Sequence, residues 1–130
     1  MIVDTSAIIA ILRDEADANE LAVALQRAPI RRVSAVTWFE SAIVIDSNRN
    51  PVLSRRFDDL IRDLHVRVEM VGSRQAEIAR DAYRDFGKGR HKAGLNCGDC
   101  FAYALAKEMD EPLLFKGTDF ARTDVEVAQI

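Results

Sequence analysis

Histidine and cysteine are almost missing from this chain: His65, His91, Cys97 and Cys100 are the only residues of those two types among 130. That scarcity excludes a good deal. A zinc site recruits several thiolates or imidazoles, and Cys97-x-x-Cys100 stands alone, so the pair reads as two buried or half-buried thiols at a helix start. Metal-free acid–base chemistry commonly uses paired histidines, yet His65 falls at a helix end and His91 in a polar loop, and both read as surface residues. Basic charge is in short supply as well: 18 Lys and Arg face 21 Asp and Glu, a formal charge of -3. This argues against a non-specific nucleic-acid coat protein and leaves room for an enzyme that touches nucleic acid locally. There is no repeat and no low-complexity segment. No apolar run reaches the length of a membrane span, and Asp4 interrupts the apolar start before a signal-peptide core forms, so a soluble, cytoplasmic protein is expected.

What is present fits one compact domain over residues 1–130, because 48% hydrophobic content supports a real core at a length too short for two. Residues 1–3 are a short apolar run, and Asp4-Thr5-Ser6 offers capping groups before the periodic stretch Ala7 to Leu12. A second helix is expected from about Asp14 to Ala28, with Leu21, Ala22, Leu25 and Ala28 on one face and Pro29 ending it. Arg32 to Ala35 reads as a strand and Val36 to Ser47 as a helix. Pro51 suits the first position of the next helix, which carries Leu53, Phe57, Leu60, Ile61 and Leu64. Val66, Val68 and Met70 alternate with Arg67 and Glu69, the pattern of a strand with one wet face near a sheet edge. A helix from Ser73 to Phe86 is stopped by Gly87, a polar loop spans Lys88 to Asn96, and residues 98–109 form a further helix. Leu113-Leu114-Phe115 is an apolar strand before a turn at Gly117, and Val125 and Val127 suggest a last strand. Short apolar strands alternating with helices imply an α/β fold, a parallel sheet flanked by helices on both faces. In such sheets ligands gather beyond the carboxyl ends of the strands.

Four acids fall in that region. Asp4 follows the first strand, and Asp119 follows the strand at Leu113 to Phe115. Capping of the helix at Thr5 and of the turn at Phe120 to Arg122 serves equally well for each taken singly. Glu40 has Val36, Thr37, Ile43 and Val44 as helical neighbours, a mostly apolar face on which an uncompensated carboxylate costs roughly several kcal/mol. Asp99 opens a helix whose same face carries Ala102, Tyr103 and Ala106, and first-turn charge compensation is its competing account. As a set, the four would repel one another without a counter-ion. Magnesium or manganese, hard cations that prefer oxygen ligands, would supply it. Such a site activates water and steadies charge on a phosphoryl group, which points to phosphodiester hydrolysis.

The segments Met1-Ile-Val-Asp-Thr-Ser-Ala-Ile-Ile-Ala-Ile-Leu12, Ser34-Ala-Val-Thr-Trp-Phe-Glu40, Gly98-Asp-Cys-Phe-Ala-Tyr-Ala-Leu-Ala106 and Leu113-Leu-Phe-Lys-Gly-Thr-Asp-Phe120 resemble those of PIN-domain ribonucleases. More narrowly, the chain resembles VapC-type toxins of type II toxin-antitoxin systems, over nearly its whole length. The resemblance implies a homodimer that cleaves RNA endonucleolytically with Mg²⁺ or Mn²⁺, inhibited by a cognate VapB antitoxin in a hetero-oligomer. By position it makes Asp4 and Asp99 the principal metal ligands, completed by Glu40 and Asp119, with Thr5, Ser6 and Thr118 in support.

Lys88, Arg90 and Lys92, just upstream of Asp99, form the best local basic patch for RNA phosphates, with a solvated loop as the alternative, and Lys116 is a second candidate. Arg13, Arg27, Arg31 and Arg32 read as solvated or antitoxin-facing. Trp38, Phe39, Ile43 and Ile45 give one helix more apolar surface than a single face requires, and any remainder would serve a dimer interface or an antitoxin groove. Two rival readings remain: a receiver-like signalling module, weakened by Thr5 and Ser6 directly after Asp4, and a PIN-like module that binds without cutting.

Overall fold

Two apolar pairs, Ile2–Val3 and Leu113–Leu114, and two short segments centred on Val33 and Val68 form the strands of a four-stranded parallel sheet in the computed structural model, which describes residues 1–130. In chain order the elements are β1 (Ile2–Val3), α1 (Thr5–Leu12), α2 (Ala18–Arg27), β2 (Arg32–Ser34), α3 (Ala35–Asp46), α4 (Pro51–Asp63), β3 (Arg67–Glu69), α5 (Ser73–Phe86), α6 (Cys97–Met109) and β4 (Leu113–Leu114), followed by a 3₁₀ turn at Phe120–Arg122. The strand order is β3-β2-β1-β4. The chain builds outward from β1 in one direction and then crosses back to place β4 on its other side. This reversal makes the boundary between β1 and β4 the topological switch point, where loops diverge and a cleft opens.

Period-two alternation divides the side chains of the paired strands β1 and β4 between two cores. Ile2 pairs with Leu113 and Val3 with Leu114. Ile2 and Leu113 face the layer of α5 and α6, with Leu95, Leu105 and Phe120. Val3 and Leu114 face the opposite layer, with Ile8, Leu21, Leu25, Ile45 and Phe57 from α1 to α4. Both faces of the sheet are therefore covered, as a parallel sheet requires. No helix is long and apolar enough to cross a membrane.

Several boundaries differ from the sequence-based expectation for local reasons. The second helix starts at Ala18, not near Asp14, because Asp14 adopts a left-handed backbone (φ 53°) and closes a turn after α1. It ends where Ala28 turns extended (ψ 131°), the conformation forced on a residue before proline. Pro51 does open α4, with the Asn50 side chain accepting from the amides of Val52 and Leu53. β3 is an edge strand, but only three residues long, with Val68 exposed on it and Met70 exposed just after it. The expected last strand reduces to a single bridge between Val127 and Leu113. The loop after α5 is less polar than its ends suggest: Gly87 bridges to Leu95, and Ala93 and Leu95 are fully buried.

Two arginines expected at the surface are structural instead. The Arg31 guanidinium donates to the carbonyls of Leu25 (2.6 Å), Gln26 (2.5 Å) and Leu64 (2.9 Å), tying the ends of α2 and α4 together. Arg32, at the start of β2, bridges Glu69 of β3 at 2.7 Å and Glu111, just before β4, at 2.8 Å. Arg13 and Arg27 remain exposed. Leu105 of α6 is fully buried in the same cluster as Ile2 and Leu113 of the sheet. Leu105→Ala is expected to cost about 2–5 kcal/mol, read as a lowered midpoint in urea unfolding.

Candidate active site

Three of the four acids, Asp4, Asp99 and Asp119, sit at the end of an element that leaves or borders the switch point, and Glu40 comes from the body of α3. The Asp4 amide donates to the Leu114 carbonyl at 2.9 Å, so the β1–β4 pairing carries Asp4 alongside the strand that leads to Asp119. Asp4 then caps α1: its Oδ2 accepts from the Ser6 amide (2.9 Å) and the Ser6 hydroxyl (2.7 Å). The other oxygen, Oδ1, is buried and has no hydrogen-bond partner. Capping and an open coordination position are thus not competing accounts of this residue. One oxygen does each. Burial pushes the Asp4 carboxyl above the usual range against the pull of the Ser6 bonds, and the Glu40 charge adds to the rise.

Glu40 lies in the second turn of α3, which Ser34 starts by accepting from the Val36 amide. The expected apolar surroundings are only half realised. Glu40 is half-buried, and its neighbours Phe39 and Ile43 are 61% and 52% exposed. No lysine or arginine compensates it; the Thr5 hydroxyl donates to Oε1 at 2.7 Å and itself accepts from Ser41 at 3.2 Å. The carboxylate packs against the first turn of α6 so closely that a Cβ on Gly98 would fall 2.0 Å from Oε2. Only glycine lets α3 and α6 approach here. The sequence held the signal, a poor helix former inside the first turn beside Asp99, but its contact with Glu40 depends on the packing of two distant elements.

Asp99 is the third residue of α6 and forms a reciprocal capping box: Oδ2 accepts from the Asn96 amide at 3.0 Å, and the Asn96 side chain accepts from the Asp99 amide at 2.9 Å. Its pKa is pushed up to about 6, first by burial, opposed by the Asn96 amide, and then by the fields of Asp4, Glu40 and Asp119. All three other acids therefore act on Asp99. Asp119 is exposed and precedes the 3₁₀ turn without a side-chain cap, so capping does not explain it.

The supporting residues divide. The Ser6 hydroxyl also accepts from the Lys116 amide at 3.0 Å, joining the Asp119 turn to Asp4, and Thr5 holds Glu40. Thr118 is exposed and bonds to none of the acids. Lys116 is exposed, and its ammonium is paired with Glu15 and, at 3.1 Å, with Asp17. Lys88, Arg90 and Lys92 are exposed, and the Lys92 carbonyl accepts from Arg122 at 3.0 Å, pinning this loop to the turn after Asp119. His91 is half-buried, its ring edge-on against Phe86 at 5.3 Å and its Nδ1 accepting from the Ala93 amide; His65 is exposed. Of the two thiols, Cys100 is buried and Cys97 exposed, which corrects the expectation for Cys97.

The PIN-domain family model matches residues 1–126. The chain belongs to the PIN-domain family. Among PIN proteins it is 58% identical to ribonuclease VapC28 of Mycobacterium tuberculosis, over 98% of this chain and 97% of that one. It is 50% identical to ribonuclease VapC of Mycolicibacterium smegmatis, over 96% and 97%. This places it with the VapC ribonucleases. The crystal structure of Mycobacterium tuberculosis VapC20, described as a sarcin-ricin loop cleaving toxin, shares the fold with a TM-score of 0.76 at 16% identity, over 95% of each chain.

PIN-domain VapC nucleases are generally metal-dependent. No three His, Cys, Asp or Glu side chains converge into a ready-made cage here. The donor set nevertheless suits a hard cation: oxygen only, open to solvent at Asp119, and with one buried acceptor lacking a donor. Magnesium, which keeps several waters and takes one or two carboxylates directly, needs no closed cage.

The Asp99 shift has a definite sign. Its folded pKa lies above its unfolded value, so ionisation costs the fold nothing below about pH 4 and its full amount above about pH 6. Asp99→Asn is expected to stabilise the metal-free protein by about 1–2 kcal/mol at pH 7.5, after allowance for solvent screening. Thermal melts in EDTA at pH 7.5 and pH 4 check this: the gain should vanish at the lower pH.

Proposed function

We propose that this chain is the toxin of a type II toxin-antitoxin pair, a single PIN domain acting in the cytoplasm as an Mg²⁺-dependent endoribonuclease, with Mn²⁺ able to substitute. The observation that carries the reading is the buried, partnerless Oδ1 of Asp4, on a carboxylate that feels the Glu40 charge, beside an Asp99 that lies in the field of Asp4, Glu40 and Asp119. An orphaned buried acceptor of that kind costs stability unless something cationic meets it. Asp4 and Asp99 would be the principal metal ligands, with Glu40 and Asp119 completing the shell through water. When bound, the ion supplies an activated water and neutralises charge developing on the phosphoryl oxygens.

The chain's own residues do the positioning. Ser6 fixes the Asp4 carboxylate, Asn96 fixes that of Asp99, and Thr5 fixes that of Glu40, so three acids are held before substrate arrives. Glu40 or Asp119 is assigned the orientation of the attacking water. Attack by water, not by the ribose 2′-hydroxyl, leaves a 5′-phosphate and a 3′-hydroxyl. Lys88, Arg90 and Lys92 are assigned to the RNA backbone.

A VapB-type antitoxin inhibits the enzyme in this reading, and the active form is a homodimer. Ile45 is core, and Trp38 packs on Phe57 at 6.1 Å, so the apolar surface left for either contact on α3 is Phe39 and Ile43. An antitoxin arginine or lysine reaching the carboxylates would compete with metal for them.

Purified, antitoxin-free protein is expected to cleave RNA in magnesium or manganese and not in EDTA, giving 5′-phosphate ends. Asp4→Asn and Asp99→Asn should abolish cleavage, and Thr5→Val should lower it about ten- to a hundredfold. Equal cleavage in EDTA would sink the metal mechanism. No cleavage of any structured or single-stranded RNA by well-folded protein would favour a PIN-like module that binds without cutting.

A further inference from the structure

The α5 helix carries a basic feature that the four acids leave unused. Two cavities adjoin one another along it, sharing Arg80 and Tyr83. One, of about 300 Å³, is apolar, walled by Ala79 and Phe101 and reaching Cys97 in the first turn of α6, two residues before Asp99. The other, of about 280 Å³, is lined by Arg80, Tyr83, Arg84 and Arg90 and by no other residue. The chain as a whole is negative, so three guanidiniums around one cavity are a local reversal of charge.

Their pairing state shows what they are available for. Arg80 and Arg90 form no ion pair with any carboxylate, and the Arg90 guanidinium lies over the Tyr83 ring, 5.5 Å from its centroid. Arg84 is shared between Asp81 (3.4 Å) and Asp85 (3.3 Å), but all three side chains are more than half exposed. Exposed pairs of this kind are weak and readily exchanged for a better anion. Guanidinium forks match phosphate oxygens, and guanidinium planes and tyrosine rings stack on unpaired bases. The neighbouring apolar cavity offers space for a base, and the path along it ends at the helix turn that presents Asp99.

We propose that this arginine–tyrosine cavity is a subsite that holds single-stranded RNA away from the scissile bond. Phosphates lie on Arg80, Arg84 and Arg90, and a base inserts beside Tyr83. It extends the role assigned above to Arg90 and rests on the ribonuclease reading. An acidic peptide would satisfy the arginines, but it has no use for a stacking platform joined to an apolar slot, so RNA is the occupant the two cavities favour together.

The test is fluorescence anisotropy of the full chain with a short, labelled, single-stranded RNA of mixed sequence, in EDTA so that nothing is cut. Arg80→Ala/Arg84→Ala should weaken binding about tenfold and flatten the salt dependence by about 0.7 in log–log slope for each lost phosphate contact. Tyr83→Leu should weaken it about as much with the slope unchanged. Arg55→Ala/Arg56→Ala, the same charge change on the exposed face of α4, should stay within about twofold of wild type. Equal losses in the two double variants, or polyglutamate displacing the RNA as well as unlabelled RNA does, would overturn the subsite. Asp99→Asn keeps the two readings apart: it should bind like wild type while failing to cleave in magnesium. Intact binding without any cleavage by wild type would count against the ribonuclease reading and leave the subsite standing.

Discussion

Mutual repulsion among Asp4, Glu40, Asp99 and Asp119 is the constraint around which the rest of the structure is arranged. The acids come from four separate stretches of chain, and nothing covalent keeps them together. The fold supplies the restraint: β1 and β4 pair directly, α6 opens beside them, and α3 is brought against α6 by the absence of a side chain at Gly98. The two buried clusters on either side of the sheet provide the apolar burial that offsets this concentrated charge. Even so the cost remains visible, as an orphaned oxygen on Asp4 and a raised pKa on Asp99.

The same cleft is organised by hydroxyls more than by cations. Ser6 and Thr5 each bind one carboxylate oxygen and are themselves held by a donor from another element, the Lys116 amide and the Ser41 hydroxyl. Cations are kept at a distance. Lys116, three residues before Asp119, is drawn off by Glu15 and Asp17, Arg122, three residues after it, donates to the Lys92 carbonyl, and Arg31 and Arg32 are engaged in joining strand and helix ends. An acidic cluster without resident basic partners keeps its affinity for an incoming cation.

Much of this was legible from residues alone, because the information was local. Apolar runs marked β1 and β4, alternation marked β3, Asp4-Thr5-Ser6 and Pro51 marked helix starts, and acids soon after β1 and β4 marked the cleft. What could not be read was set by contacts between distant segments. Glu40 looked isolated on an apolar face because its partner, Thr5, is 35 residues away and its close neighbour, Gly98, further still. Arg31 and Arg32 looked solvated because the carbonyls and carboxylates that hold them come from other elements. The start of α2 was misplaced because a left-handed residue at Asp14 carries no strong sequence mark. Lys116 had the right charge and place for a phosphate contact, and only the three-dimensional position of Glu15 and Asp17 reveals that it is occupied.

Ser6 has a single hydroxyl proton, and the Lys116 amide already points at that oxygen as a donor. The proton is therefore directed to Oδ2 of Asp4, and it cannot be turned away without facing one donor with another. Because the Ser6 amide also donates to Oδ2, that oxygen is never the one to carry an added proton. Any protonation of Asp4 falls on Oδ1, the same atom left open for a cation. Proton and cation thus contend for one oxygen, and the outcome is set by a serine that touches neither.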